Sequence, residues 1–408
     1  MALQTPESLR AQDNHFPVQI DDESLRDGLQ DDAVHHPTPE QAVVLFELMR
    51  QLGTHRADIG FAAAGHVHLE RIQAIARYNH SLPFPLEISC AARMIPSDIT
   101  PIIELREVTG AHFWVDAFLG TDPTRIAAEG WEVSQMIDWV KETTHYAVDH
   151  GLDVMLVTET TIDGIKKIPG VVEQLYLTGL SEGAKRVCLC DTTGSALPNE
   201  VQDAVLWMKG LLDHHGFPEV KIDFHGHNDL GCAIANSVAA LTAGAQRVHA
   251  TILGIGERCG NADRTALQLQ LRRTGLDEGA YNLTFIPEYV KKASEIFGIP
   301  IPDAYPGIGE QSRFIVSGIH AAAVLKAKNT LSPEEADSLY LPVDYHHLLG
   351  VTPSHIVKIG PLAGKANVYL WSAFRGIDVS DEQVLRILER AKEAQRTLTD
   401  TEIFTLIE

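Results

Sequence analysis

The sequence predicts an eight-stranded (β/α)8 barrel, the TIM-barrel class of α/β fold, followed by a helical C-terminal extension. Three observations point there. Eight short apolar runs recur between about residues 17 and 275, each followed by a turn and a segment of helical spacing. Such strand–helix alternation implies parallel strands joined by right-handed crossovers. Eight units in roughly 250 residues match the size of a closed barrel. An open doubly wound sheet is the competing architecture, but no G-x-G-x-x-G follows the first strand.

The runs are, in order, "PVQI", "RADIGF", "PLEISC", "HFWVDAF", "DVMLV", "RVCLC", "VKIDF" and "RVHATI". Between them lie helical patterns such as "PEQAVVLFELMRQLG", "EVSQMIDWVKETTHYAVDHG" and "EVQDAVLWMKGLLDHHG". Gly53, Gly151, Gly183, Gly216 and Gly244 stand where helices end, a position that favours glycine. Residues 1–275 are therefore read as the barrel domain, and 276–408 as a linker and helical subdomain. The second part holds an amphipathic helix, "PEYVKKASEIFG", a His/Tyr-rich stretch around 340–350 and a terminal helix near 381–397.

The 408 residues are 45% hydrophobic and 22% charged, a globular composition with no apolar run long enough to cross a membrane. The start, "MALQTPESLRAQ", lacks the charged-then-apolar pattern of a leader, so a cytoplasmic protein is expected. Five cysteines are present and are expected to be reduced; Cys188 and Cys190 are two apart, the wrong spacing for a C-x-x-C pair. A net charge of −22 argues against nucleic acid as a partner. It leaves room for a small anion, since a few arginines reverse the field inside one cleft.

Active sites of such barrels lie at the C-terminal ends of the strands. There the sequence crowds polar groups: "DDESLRDGLQDD" after strand one, "TETT" after five, "DTTG" after six, "HGHND" after seven and "LGIGERCGN" after eight. His225 and His227 are two apart, which on a strand puts both on one face. Alone, the His-Gly-His is equally well a turn facing water. With the other strand ends it reads as part of a divalent-metal site. Asp27, after strand one, is the nearest carboxylate, because strand one closes against strand eight. Asn261 is a further ligand or a support.

Arg26 precedes Asp27, and a guanidinium beside a metal suits stabilisation of an enolate or alkoxide oxygen; a surface arginine is its ordinary alternative. Glu159 and Thr192 are read as groups that hydrogen-bond a substrate carboxylate or carbonyl, Glu159 with a catalytic part, although each also suits a cap or a turn. Asp58 lies inside an apolar strand, where a carboxylate needs a partner; pairing with Arg26 supplies one and puts Asp58 at the substrate site. Arg93 and Arg125 follow strands three and four, and either could bind a second anionic group of the substrate or be a surface arginine.

The stretches "LRDGLQ" (25–30), "HGHNDLGCAIANSVAALTAGA" (225–245), "GIGERCGNADRTAL" (254–267), "SGIH" (317–320) and Tyr340 to Gly350 carry a resemblance. The chain resembles the acyl-CoA-dependent Claisen condensing enzymes typified by 2-isopropylmalate synthase and homocitrate synthase, of the DRE-TIM metallolyase superfamily. The resemblance implies a divalent metal (Mg, Mn or Zn) held by Asp27, His225 and His227 with Asn261 close by, and acetyl-CoA as co-substrate. It implies Arg26 facing the carbonyl of a 2-oxo acid, Gln30 among the substrate contacts, and His320 and Tyr340 serving from the extension of a homodimer. His320 is the expected base for the methyl of acetyl-CoA, since histidine exchanges protons near neutral pH.

Three departures stand out. Leu29 replaces the glutamate usual in "LRDGEQ", as in 3-hydroxy-3-methylglutaryl-CoA lyase; Asp58 replaces a glutamate; and Asp116 stands where isopropylmalate synthases tend to have histidine. The competing activities are a lyase of that type and a non-catalytic barrel acting as a binding subunit. The lyase resemblance is weakened by "GERCGN" in place of a "GGCP" loop, which leaves Cys259 a structural residue.

Overall fold

The computed structural model describes residues 18–353 and 355–408; the N-terminal stretch read for a leader, 1–17, lies outside them. Eight parallel strands close into a barrel in sequence order: β1 (Gln19–Asp22), β2 (Arg56–Phe61), β3 (Glu87–Arg93), β4 (Phe113–Gly120), β5 (Asp153–Glu159), β6 (Arg186–Asp191), β7 (Lys221–Gly226) and β8 (Arg247–Ala250). The predicted barrel is present, and closure runs through β1 and β8, where Asp21 pairs with His249 and Asp22 with Ala250. β1 therefore takes in the two aspartates that the sequence pattern assigned to the following loop.

The helices are closed by ordinary local chemistry. Thr38 caps the helix Pro39–Leu52 in a capping box with Gln41, and Gly53 ends it in the left-handed region at φ 91°.

Side chains alternate along a strand, so every second residue faces the barrel interior. On β4 to β6 the interior is largely apolar: Met155, Cys188 and Cys190 pack with Trp114 and Val157. On β1, β2, β7 and β8 it is ionic. Arg56 lies 3.2 Å from Asp21 and also pairs with Asp116. Arg186 hydrogen-bonds Asp223 at 2.9 Å, and Arg247 lies 3.5 Å from the same carboxylate. Burial pushes the Asp223 carboxyl up, but Arg186, Arg247 and His249 together hold it well below the usual range.

The first compact unit runs through Pro300 and the second from Ile301 to Glu408. The division expected at 275/276 thus falls inside the first unit. Side chains beyond it explain why: the Tyr289 hydroxyl, on the helix Ile286–Phe297, donates to Asp22 at 2.9 Å, and Tyr281 accepts from the Ile20 N–H at 2.8 Å. The second unit has a core of its own around Trp371, Val384 and Ile387, with a short parallel ladder between β9 (Phe314–Ile315) and β10 (Ile356–Val357) beside its helices. Among the described residues no helix is long and apolar enough to cross a membrane.

Candidate active site

A cavity of about 170 Å³ opens among the C-terminal ends of the strands. Of the residues expected there, Arg26, Asp27, Gln30, Glu159, Thr192, His225 and His227 line it. His225 is on β7 and His227 follows it; both are buried, and their Nε2 atoms point at each other across 3.3 Å. Asp27 opens a single turn of 3-10 helix after β1, and its Oδ2 lies 3.2 Å from His225 Nε2 and 3.9 Å from His227 Nε2. An ion with bonds of about 2.1 Å holds neighbouring ligand atoms about 3.0–3.4 Å apart. The three side chains fit a divalent metal, with small closure around His227.

The unpaired atoms agree with that fit. Asp27 Oδ1 and Asn261 Oδ1 are buried without a hydrogen-bond partner. Asn261 does not line the cavity, but its backbone bridges to His227. The glycine loop before it has a structural cause: Gly256 is at φ 145°, where a Cβ would collide with Asn261 Nδ2. Burial and the neighbouring His225 bring His227 down to about 4, keeping its ring neutral. Burial opposes ionisation of Asp27, yet Arg26 and His225 hold it at about 2.

Arg26 is fixed from three sides. Its Nε donates to Asp58 at 2.7 Å, one Nη lies 2.6 Å from Glu23 and the other 3.2 Å from Asp27. Five N–H groups on a guanidinium leave donors over for the cavity that Arg26 lines. Asp58 is the expected partner of Arg26, but it stands behind that residue and does not line the cavity. Burial pushes its carboxyl up; Arg26 opposes this, while Asp116 and Glu23 add to it.

Arg125 does not line the cavity either: its guanidinium is paired with Glu159 and lies over the Trp131 ring. Thr192 Oγ1 accepts from the Thr160 N–H at 2.8 Å. Arg258 ties the loops after β6, β7 and β8 together, donating to the Thr192 carbonyl at 2.5 Å and to Asp229 at 2.8 Å. Cys259 is exposed in the same loop and does not line the cavity. In the second unit, His320 and Tyr340 are both exposed and stack ring on ring at 4.2 Å, 23° between planes. Tyr340 sits in the left-handed region at φ 65°.

Two residues were missed by the sequence reading. Glu23 Oε2 lies 3.0 Å from His225 Nδ1, and His249 Nδ1 lies 2.7 Å from Glu23 Oε1. Glu23 thus occupies the far side of the His225 ring, where a carboxylate fixes the orientation of a ligating imidazole. The available signal was spacing: Arg56 and Asp58, Asp223 and His225, and Arg247 and His249 recur at period two inside strands, and Asp21 and Glu23 repeat it at the end of β1.

Comparison with known proteins agrees with the architecture. The family described as HMGL-like matches residues 17–290. A homocitrate synthase of Methanopyrus kandleri is 30% identical over 395 residues, covering 96% of this chain and 91% of that one. An (R)-citramalate synthase of Methanocaldococcus jannaschii is 28% identical, over 92% of this chain and 70% of its own. The HMG-CoA lyase structure from Brucella melitensis shares the fold, with a TM-score of 0.54 and 19% identity over 68% of this chain and 98% of that one. With a closed eight-stranded barrel and a family match over most of its length, the chain belongs to the HMGL-like family.

Proposed function

We propose that this protein is a metal-dependent acyltransferase that condenses acetyl-CoA with a 2-oxo acid. Hydrolysis of the thioester then releases CoA and a 2-alkylmalate-type acid. The observation that carries the reading is the convergence of Asp27, His225 and His227 beside the Arg26 guanidinium in one cavity. The similarity to named synthases over nearly the whole chain supports it.

Asp27, His225 and His227, with Asn261 close by, would hold the ion, which is Mg, Mn or Zn. A divalent ion there supplies Lewis-acid polarisation of the substrate ketone. Arg26, fixed by Glu23, Asp27 and Asp58, turns its remaining N–H donors to the oxygen on which charge develops. Glu159 and Thr192 hydrogen-bond the substrate from the other strand ends, Arg125 holds Glu159 in place, and Gln30 lies at the rim. In the proposed homodimer, His320 of the partner subunit takes the proton from the methyl of acetyl-CoA, and the stacked Tyr340 orients its ring. The protein is proposed to act as a cytoplasmic homodimer.

The deciding experiment follows free thiol from acetyl-CoA with a panel of 2-oxo acids and added Mg or Mn. Thiol release that depends on both the acid and the ion is the expected result. Cleavage of 3-hydroxy-3-methylglutaryl-CoA without such release would point to the lyase, and neither activity to a binding subunit.

A further inference from the structure

The cavity has two unlike halves. β7, β8 and β1 are neighbours in the closed barrel and bring Asp27, His225 and His227 to one side. The strands across from them, β2 to β6, contribute Phe61, Ala91, Phe118, Met155, Val157 and Cys190. Phe61 owes its place to a register shift in the β2–β3 pairing between Asp58 and Phe61. Arg56 and Asp58 face the interior on the even positions; the shift brings an odd-numbered side chain to the cavity. The Phe61 and Phe118 rings meet edge to face, with centroids 6.2 Å apart.

The charged side chains that line this far side are both acidic, and each is paired with an arginine behind the wall. Asp116 and Glu159 line it. Among the described residues that line the cavity, Arg26 is the one arginine or lysine, and it lies against Glu23, Asp27 and Asp58. The two arginines that follow β3 and β4 are already paired with carboxylates. Arg93 forks onto Asp98 at 2.8 and 2.9 Å, and Arg125 is paired with Glu159. A carboxylate carried on a substrate side chain would enter this half, lose water, and meet two carboxylates whose arginine partners, Arg56 and Arg125, are already paired and do not line the cavity. An apolar side chain would meet rings, a thioether and a valine.

We infer that this half of the cavity reads the substrate side chain and selects 2-oxo monocarboxylic acids with an apolar side chain over 2-oxo dicarboxylic acids. The inference rests on the proposed function, in that the carboxylate and ketone of the acid lie at the Asp27, His225 and His227 end. Phe61, Phe118 and Val157 are the residues that set the preference. Each methylene gained or lost against such a wall changes kcat/KM by about tenfold or more.

The test uses the full chain with saturating Mg and acetyl-CoA, comparing pyruvate, 2-oxobutyrate and 2-oxoisovalerate with oxaloacetate and 2-oxoglutarate. The expected result is a kcat/KM at least about a hundredfold higher for the best apolar acid than for either dicarboxylate. Phe118→Ala should raise the relative kcat/KM for a bulkier apolar acid, phenylpyruvate, by about tenfold. Equal or better turnover of a dicarboxylate overturns the inference and leaves the condensing activity standing. Absence of thiol release from every acid overturns the activity instead. Calorimetry of the same acids on the Mg-loaded chain, without acetyl-CoA, then still decides the inference: tighter binding of the dicarboxylates overturns it, and tighter binding of the apolar acids supports it.

Discussion

Glu23 reaches Arg26 at 2.6 Å, His225 at 3.0 Å and His249 at 2.7 Å, so one carboxylate fixes the groups on both sides of the proposed ion. Its effect on chemistry would pass through the imidazole of His225, and that separates it from Arg26. Glu23→Gln keeps the shape and removes the charge; loss of such a partner weakens metal binding by about ten- to a hundredfold. Titration calorimetry with Mn should read that loss, and unchanged affinity would make Glu23 a packing residue only. Arg26→Lys keeps the charge near Glu23, Asp27 and Asp58 but loses the planar fork. Loss of one preorganised donor costs about 3 kcal/mol, so kcat should fall by about a hundredfold or more with metal content unchanged. A variant that loses its metal instead would assign Arg26 to holding the site together. The residue pattern exposed Arg26, Asp27 and the histidine pair because they follow strand ends, where position alone suggests function. Glu23 escaped because "DDES" reads as loop, and Glu23 stands one residue past the end of β1.

At the scale of the strands, the apolar runs were legible because seven of the eight stand between clear helical patterns. What was not legible was the interior they build. Hydrophobic residues usually fill barrel interiors in layers, yet here β1, β2, β7 and β8 turn Asp21, Arg56, Asp223 and Arg247 inward, and all four are buried. No single strand reveals this, since each charge is balanced only by a neighbour that closure brings beside it. Asp223 is the most shared member: Arg186 at 2.9 Å, Arg247 at 3.5 Å and His249 at 3.4 Å face it. Removing one partner of a buried ionic set leaves uncompensated charge, at a cost of about 3–5 kcal/mol. Asp223→Ala should lower the urea midpoint by the corresponding amount, whereas Asp153→Ala, which loses exposed partners His112 and Lys185, should shift it by about 1 kcal/mol or less. Equal shifts for the two variants would mean that the interior charges do not stabilise the barrel. Tyr281 and Tyr289, in the stretch read as the start of the linker, bind β1 across long sequence separations that composition does not record.

For the molecule as a whole, charge sets the terms on which substrates arrive. Asp and Glu number 55 against 33 Lys and Arg, giving −22. Both proposed substrates, a 2-oxo acid and acetyl-CoA, are anions, so the long-range field opposes their approach while the one arginine among the described residues lining the cavity, Arg26, lies against carboxylates. Salt weakens such a field: the screening length falls from about 30 Å at 0.01 M to about 8 Å at 0.15 M ionic strength. Charges buried within the barrel are screened much less than the surface, so the repulsive part fades first. The kcat/KM for the 2-oxo acid should therefore rise with KCl over this range, by roughly a few-fold. The divalent ion is kept saturating throughout, because the same net charge favours its binding and salt would otherwise remove it. A basic enzyme acting on anions would show the opposite slope. A fall in kcat/KM with salt would mean that the field at the cavity mouth is positive in spite of the net charge, and that arginines such as Arg125 and Arg258 guide the substrate after all.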